Sequence, residues 1–408
     1  MKKIFTLILT FVSVNLLAQK ADVVITNGGV EDVYYSFSND EISRVSKTTW
    51  DIAFTTAGFD ASILINENAG VELFLYSNDT ADWSSVDTTG FNWNNVYNST
   101  ETWEEGAFAN QGTSHPDYGW GVYNSDNHNI NGNRLFILKN SDDSYSQMVI
   151  ASMSAAGLYT VKIGDLGGAN TNYFTLNKKD EAYADKNFVL YSSVNRAVVN
   201  DEPISESWDV LFTKYYIGIQ AGPDFVYYPV SGVKVNKGYE VAERSGVATS
   251  SNDTMNLTWS SSITEIGSDW KSFNNSTFQY DITSDLTYFI RNAEGDVWKM
   301  FFTNYVGGAE GGFYFNVERI SGTAGVSSFT ANKTLVYPNP ITDKLHVKNG
   351  FNSSADVSVL NLQGVVILSN IVEANATLTL NAETLASGIY TVSVKTSTQT
   401  SNHKLIVE

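Results

Sequence analysis

Residues 50–55 read Trp-Asp-Ile-Ala-Phe-Thr, and residues 208–213 read Trp-Asp-Val-Leu-Phe-Thr, 158 positions further on. In each run the alternation puts Trp, Ile or Val, and Phe on one face, with Asp and Ala or Leu on the other, as a strand requires. Four further landmarks recur in the same order. Asn68-Ala69-Gly70-Val71-Glu72-Leu73 matches Asn236-Lys237-Gly238-Tyr239-Glu240-Val241 at an offset of 168, and Trp120 with Asn124 matches Trp270 with Asn274 at 150. Phe136 to Met148 matches Tyr288 to Met300 at 152, and Gly157-Leu158-Tyr159 matches Gly312-Phe313-Tyr314 at 155. Ordered landmarks with loop-sized drifts in offset identify a tandem duplication. The period is far too long for a solenoid, so each copy is a domain-sized unit.

The division falls at the solvated run Asn177 to Lys186, giving units over 19–180 and 186–320. Both read as all-β. Their apolar runs are four to eight residues long, rich in Tyr, Phe, Val and Ile, and separated by Gly, Asn and Asp. No apolar series keeps helical spacing over eleven residues. The expected core of each unit includes Trp50, Ile52 and Phe54, or Trp208, Val210 and Phe212. Met148 and Met300, matched between the copies at strand ends, read as core.

Outward from the duplication, the small polar stretch 321–333 is a linker. Beyond it, Leu345/Val347, Val357/Val359, Leu378/Leu380 and Tyr390/Val392/Val394 alternate with period two. Pro338 and Pro340 bracket Asn339 before the first clear strand, and Gly364 and Gly388 supply turns. Six or seven short strands over 334–408 make a small immunoglobulin-like β-sandwich. At the other end, Lys2 and Lys3 precede an apolar run from Ile4 to Leu17, with Ala18 before a cleavage point, so 1–18 reads as a signal peptide. No later stretch approaches 18 uninterrupted apolar residues, so no integral span is expected in the mature chain.

Charge and composition bound the partners. Without Lys2 and Lys3, 23 basic residues face 44 acidic ones, a net of −21. No basic cluster offsets this, so nucleic acid and anionic lipid are poor partners. The chain has no cysteine, which removes disulfides, thiolate metal sites and an N-terminal lipoprotein anchor. Neither HExxH, GxSxG nor a P-loop occurs, and no carboxylate pair stands out, so no catalytic residues and no enzyme are expected. No metal site is expected either, because the acids at Asp142-Asp143 fit no EF-hand spacing.

The order LVYPNPITDKLHV, VSVLNLQGVVIL, LASGIYTVSVKT and HKLIV over 334–408 resembles the type A C-terminal sorting domain of the type IX secretion system. That resemblance implies a partner, the type IX machinery, and delivery outside the cell or to its outer-membrane surface. Each upstream unit, through YYSFSNDEI, TWDIAF, an Asn-x-Gly turn and RLFILKNSDDSYSQMVI, or through SWDVLF and YFIRNAEGDVWKMFFTNY, resembles the HmuY-type haem-binding proteins of Bacteroidetes. The resemblance implies an all-β fold and capture of haem. Known members hold the iron with paired His or paired Met on loops that no motif aligns here.

Read from the residues, only His115 and His128 lie in the duplicated region, inside the Gly- and Asn-rich stretch 110–133 with Tyr118, Trp120 and Tyr123. Two imidazoles and neighbouring aromatics could clamp a porphyrin, so these five are candidate haem-binding residues, at one haem per chain. The other reading of both histidines is solvated loop. Met153 and Met255 are weaker ligand candidates. A different class of function rests on Trp83, Trp93, Trp103 and Trp120, which lie in Asn-rich surroundings outside the strand motifs. Exposed aromatics there would stack on sugars or make adhesion contacts. Asp51 and Asp209, matched between the copies, read as structural hydrogen-bonding or solvent-facing strand residues.

Overall fold

The structure is a computed structural model that describes residues 20–321 and 334–407, apart from 338–340, 342–343, 352, 362–364, 375, 383–384 and 397–399. The expected signal peptide, nearly all of the linker, and Pro338, Asn339, Pro340 and Gly364 lie outside the described residues. The chain divides into a larger unit, 1–324, and a smaller one, 325–408. Both are all-β, and the described residues hold a single α-helix, the four-residue Gly307–Glu310.

The first copy contributes β1 (Lys20–Ile25), β2 (Glu31–Ser36), β3 (Asp40–Ser46), β4 (Ile52–Thr55), β5 (Ile63–Ile65), β6 (Glu72–Ser77) and β7 (Asn95–Val96). It continues with β8 (Gly121–Asn124), β9 (Asn129–Gly132), β10 (Leu135–Lys139), β11 (Tyr145–Met153), β12 (Leu158–Asp165) and β13 (Asn172–Asn177). The second contributes β14 (Phe188–Ser192), β15 (Ala197–Val199), β16 (Val210–Ala221), β17 (Asp224–Val235) and β18 (Glu240–Ser245). It ends with β19 (Lys271–Asn274), β20 (Gln279–Ile282), β21 (Leu286–Arg291), β22 (Val297–Tyr305) and β23 (Gly312–Ser321).

Four main sheets stack in the larger unit. An outer sheet, β13-β12-β11-β10-β6-β7, packs through one core on an inner sheet, β15-β14-β4-β5. The mirrored pair is an inner sheet, β17-β16-β2-β3, packed on an outer sheet, β1-β23-β22-β21-β18. Strand alternation explains the stacking. Ile52, Phe54, Val189 and Tyr191 point into the first sandwich, and Val33, Tyr35, Val210 and Phe212 into the second. Tyr34, Ala53, Leu190 and Leu211, one residue out of phase, meet between the two inner sheets. Both faces of β4, β14, most of β2 and the first half of β16 are therefore buried, so the Ala53/Leu211 face is core. Trp50 and Trp208 also join that central cluster, not the sandwich cores expected of them. They precede β4 and β16 by two residues, so the alternation of those strands does not extend to them.

The two copies exchange a hairpin. β2–β3 of the first pairs with β16 of the second, while β14–β15 of the second pairs with β4 of the first. β1 also pairs with β23, in the place β13 takes beside β12. One sandwich is thus continuous in sequence from Trp50 to Val199, and the other combines 20–46 with 208–321. The sheets run across the 180–186 division read from sequence.

The Trp-Asp pairs hold this exchange together. Asp51 accepts hydrogen bonds from the backbone of Ser193 (2.7 Å) in the β14–β15 turn and of Ser141 (2.8 Å). Asp209 accepts from Phe37 N (2.5 Å) in the β2–β3 turn and from Tyr239 Oη. Both aspartates are buried hydrogen-bonding residues, one of the two roles expected. Asn66 Nδ2 donates to Trp50 O at 2.9 Å, and Asn236 Nδ2 to Trp208 O at 2.7 Å. The structural counterpart of Asn236 is therefore Asn66, not Asn68. A 3₁₀ turn at Glu67–Ala69 adds two residues before Gly70, which matches Gly238 in left-handed conformation (φ 77° and 79°).

The smaller unit forms seven strands: β24 (Leu335–Tyr337), β25 (Lys344–Lys348), β26 (Ala355–Leu360), β27 (Val366–Val372), β28 (Thr377–Asn381), β29 (Gly388–Lys395) and β30 (Thr400–Val407). They make sheets β24-β25-β28 and β27-β26-β29-β30 around a core that includes Leu345, Val347, Val357, Val359, Val392 and Val394.

Candidate functional site

Of the five residues expected to meet a ligand, four share one surface region. His115 and His128 are exposed, and Tyr118 and Tyr123 are half-buried. The His115 ring lies 5.6 Å from that of Tyr123 and 6.4 Å from that of Tyr118. Tyr123 Oη is 2.6 Å from His128 Nδ1. Trp120 does not join them. It is fully buried, with its indole N–H donating to Ala61 O at 3.0 Å, because the β8–β9 hairpin turns it into the sandwich. Met148, Met153 and Met300 are core as well, and Met255 is exposed.

The four loop tryptophans divide in the same way. Trp83 and Trp103 are buried, their N–H groups donating to Thr171 Oγ1 (3.2 Å) and Val235 O (2.9 Å), and only Trp93 is exposed. Trp93 sits on a surface aromatic cluster with Phe74, Phe91 and Tyr145, at centroid distances of 5.0, 5.0 and 5.4 Å.

An open concavity lies between residues 98–118 and the far half of the β16–β17 hairpin. It has a volume of about 710 Å³. Tyr118, Phe225 and Tyr227 supply aromatic surface, and Glu104, Glu105 and Asn110 supply polar groups. Its floor is rigid for local reasons. Asn98 Oδ1 accepts from Ile65 N and Ala107 N, both at 3.0 Å, and Asn98 N donates to Glu67 Oε1 at 3.0 Å. Gly106 passes so close to Ile63 that a Cβ would stand 2.1 Å from the carbonyl oxygen, so no other residue fits. The second copy also holds this segment: Ile263 N donates to Glu101 O (3.1 Å), and Thr264 Oγ1 to Thr100 O (2.8 Å).

The opposite wall is the hairpin arm. β16 and β17 pair over twelve positions, and from the Ile217–Tyr228 pair outward the ribbon leaves the body, exposing Phe225, Tyr227 and Tyr228. It is tied back by Tyr97, which stacks on Tyr227 at 3.9 Å and 19° and meets Tyr216 at 5.0 Å. Where the arm meets the loop, Asp117 forms a two-pronged pair with Arg134 (2.7 and 2.8 Å) and accepts from Gly119 N (2.9 Å). Hydrogen bonding to Arg134 holds the Asp117 carboxyl well below the usual carboxylate range, so this carboxylate stays ionised and its charge is balanced by the guanidinium.

Sequence reasoning missed this wall. Its signal was present: the offset between the copies rises from 158 at Trp50 to 168 at Gly70. That rise brackets an insertion in the second copy between Trp208 and Gly238, the interval that holds the aromatic run Asp224-Phe225-Val226-Tyr227-Tyr228.

A narrower cavity of about 60 Å³ lies between the inner sheets, lined by Trp50, Trp208, Asp32, Glu67, Glu202 and Lys234. That is the share of roughly two water molecules and is far too small for a sugar or a porphyrin. Burial pushes Asp32 up to about 6 and Glu202 up to about 8. No group of His, Asp and Glu among the described residues is arranged to hold a metal ion. No helix among them is long and apolar enough to cross a membrane.

Residues 335–408 match the family described as the secretion system C-terminal sorting domain. The protein is therefore exported by the type IX secretion system, whose machinery is a partner of this segment, and it is secreted or displayed at the cell surface. No curated protein matches the chain.

Proposed function

We propose that the exported duplicated unit is a non-catalytic binding protein and that the groove beside the β16–β17 arm takes uncharged carbohydrate. The observation that carries this reading is the arm itself, which brings Phe225 and Tyr227 over a polar floor containing Glu104, Glu105 and Asn110. Aromatic faces receive the apolar patches of sugar rings, while carboxylates and amides accept from and donate to hydroxyls. The volume of about 710 Å³ lies within the range usual for ligand sites, about 300–1,000 Å³. The carboxylates of Glu104 and Glu105 disfavour acidic sugars, which narrows the class to neutral glycans. The HmuY-type resemblance belongs to this reading as a duplicated extracellular ligand-binding scaffold.

The test is a glycan array probed with the secreted protein and with Tyr227→Ala. Retention of a set of neutral glycans, weakened about tenfold in the variant, is the expected outcome; that factor corresponds to about 1.4 kcal/mol. Retention of nothing, or identical retention by both proteins, would overturn the assignment.

A second reading, haem capture, is favoured by one observation: His115, Tyr118, Tyr123 and His128 gather on one exposed face. In the present arrangement His128 Nδ1 is engaged by Tyr123, so ligation through that nitrogen requires Tyr123 to withdraw. A haemin titration followed in the Soret region, with His115→Ala/His128→Ala alongside, tests it. A low-spin spectrum at one equivalent, lost in the variant, supports haem capture. Featureless, unsaturable binding removes it.

A further inference from the structure

The sorting domain presents one strand that soluble proteins ordinarily protect. β27 stands at the end of its sheet, and among the described residues it pairs on one side only, with β26. Its sequence, Val366-Ile-Leu-Ser-Asn-Ile-Val372, contains no charge over seven residues. Leu368 and Val372 turn inward, whereas Val366, Ile367 and Ile371 are 51%, 44% and 62% exposed, and Val365 just before them is exposed as well. Edge strands are normally blunted by lysine, proline, shortness, a bulge or a covering segment, because their free N–H and C=O groups recruit other strands. Among the described residues β27 has a bulge at Ile367 and none of the others, and from Leu368 to Val372 it pairs with β26 in regular register.

The other edges of this domain are treated differently. β30 carries His403 and Lys404, and its end is bridged to Ile341. β24 is only three residues long. β28 turns Thr377 and Thr379 to solvent. Of the exposed large apolar residues described between 334 and 407, all but Ile389 lie on or next to β27.

A domain whose role is to be recognised by an export machine must offer that machine a surface. We propose that β27 is that surface: a strand of the type IX machinery adds to its outer edge, and the exposed Ile367 and Ile371 seat in apolar pockets of the partner. Main-chain pairing of this kind gives affinity, and alternate side chains give selectivity. With no charge on the strand, the contact should be insensitive to salt.

The experiment uses the full chain in a host with a working type IX system, comparing Ile371→Lys and Ile367→Lys with Thr391→Lys, an exposed position on β29 of the same sheet. The expected result is at least a tenfold fall in passenger outside the cell for the two β27 variants, with accumulation in the periplasm and wild-type secretion for Thr391→Lys. Equal thermal unfolding of the purified variants separates lost recognition from lost folding. Wild-type secretion of Ile371→Lys overturns the proposal. So does a wild-type chain that is dimeric through this edge while its monomeric Ile371→Lys variant is secreted normally, since the occupant would then be a second copy. Because the chain has no cysteine, Ile371→Cys adds a unique probe that keeps the strand apolar. A maleimide should label it in the free protein and not in export complexes arrested at the outer membrane, and equal labelling in both would also overturn the proposal.

Discussion

In the first copy the strand after the Trp-Asp pair runs four residues, Ile52–Thr55, and its hairpin partner three, Ile63–Ile65. In the second copy the equivalent strands, Val210–Ala221 and Asp224–Val235, run twelve residues each. The connection from β6 to β8 differs the other way: it spans 78–120 in the first copy, against 246–270 between β18 and β19 in the second. The exchanged hairpins and the aspartates that bind their turns repeat closely. The groove is lined by 98–118 and 218–227, so both walls come from the two segments in which the copies differ in length. A duplication gives two equal scaffolds, and here the binding surface arises where that equality is broken.

The strongest way to break this comparison is to restore the equality. Replacing Gly218–Tyr227 with Asn-Gly leaves Ile217 and Tyr228, already cross-strand neighbours, flanking a two-residue hairpin turn. Groove binding should disappear, while thermal unfolding stays close to wild type, because Phe225, Val226 and Tyr227 are exposed and contribute little to either core. Retained glycan binding would show that the arm is ornament. Loss of the fold would show that the ribbon is part of the scaffold.

The shared part of the copies is tested by Asp51→Ala and Asp209→Ala. Each change strips the acceptor from buried N–H groups in the exchanged hairpins, at about 1–3 kcal/mol per orphaned donor. Asp51 serves the backbone of both Ser193 and Ser141, whereas among backbone donors Asp209 is bonded to Phe37. Asp51→Ala should therefore cost about 2–4 kcal/mol and Asp209→Ala somewhat less, measured by urea unfolding. A cost below about 1 kcal/mol at both sites would mean that the hairpins are held by packing alone.

Particular residues show what the sequence made legible. The Trp-Asp repeat disclosed the duplication and its strands, since alternation at Ile52/Phe54 and Val210/Phe212 reports a buried face directly. It did not disclose which copy each hairpin joins. The apolar pattern of Val33-Tyr34-Tyr35 is the same whether β2 pairs with β4 or β16, because both are flanked by equivalent cores. Trp120 misled for a related reason: a Gly- and Asn-rich neighbourhood marks a turn, yet the residue at its end can point inward, as the bond to Ala61 O shows. His115, Tyr118, Tyr123 and His128 were legible as a group because they are close in sequence. The groove was not, because it joins segments about a hundred residues apart.

A smaller asymmetry lies where each chain segment enters its Trp-Asp pair. The first copy enters through Lys47-Thr48-Thr49, without a carboxylate, whereas the second enters through Asp201 to Ser207 and buries Glu202 beside the central cluster. Burial is the main cause that pushes Glu202 up, to about 8. A hydrogen bond from Phe188 N at 2.7 Å and the charges of Lys186 and Lys237 only moderate it. The native state therefore keeps a proton that the unfolded chain releases from about pH 4.5 upward. A raised acid contributes its stability in full below the unfolded value and loses it as pH rises towards 8, by at most roughly 1.4 kcal/mol per pH unit. Asp32, pushed up to about 6, acts in the same direction over a lower range, and Lys271, pushed down to about 7, in the opposite direction at higher pH. Those terms are common to wild type and Glu202→Gln, so the difference between their unfolding curves isolates Glu202. The two should agree near pH 4.5 and diverge towards pH 8, the glutamine protein becoming the more stable. Parallel curves would mean that Glu202 is ionised in the fold, with Lys186 and Lys237 outweighing its burial. In that case the second entry, like the first, would run through a charged and solvated turn.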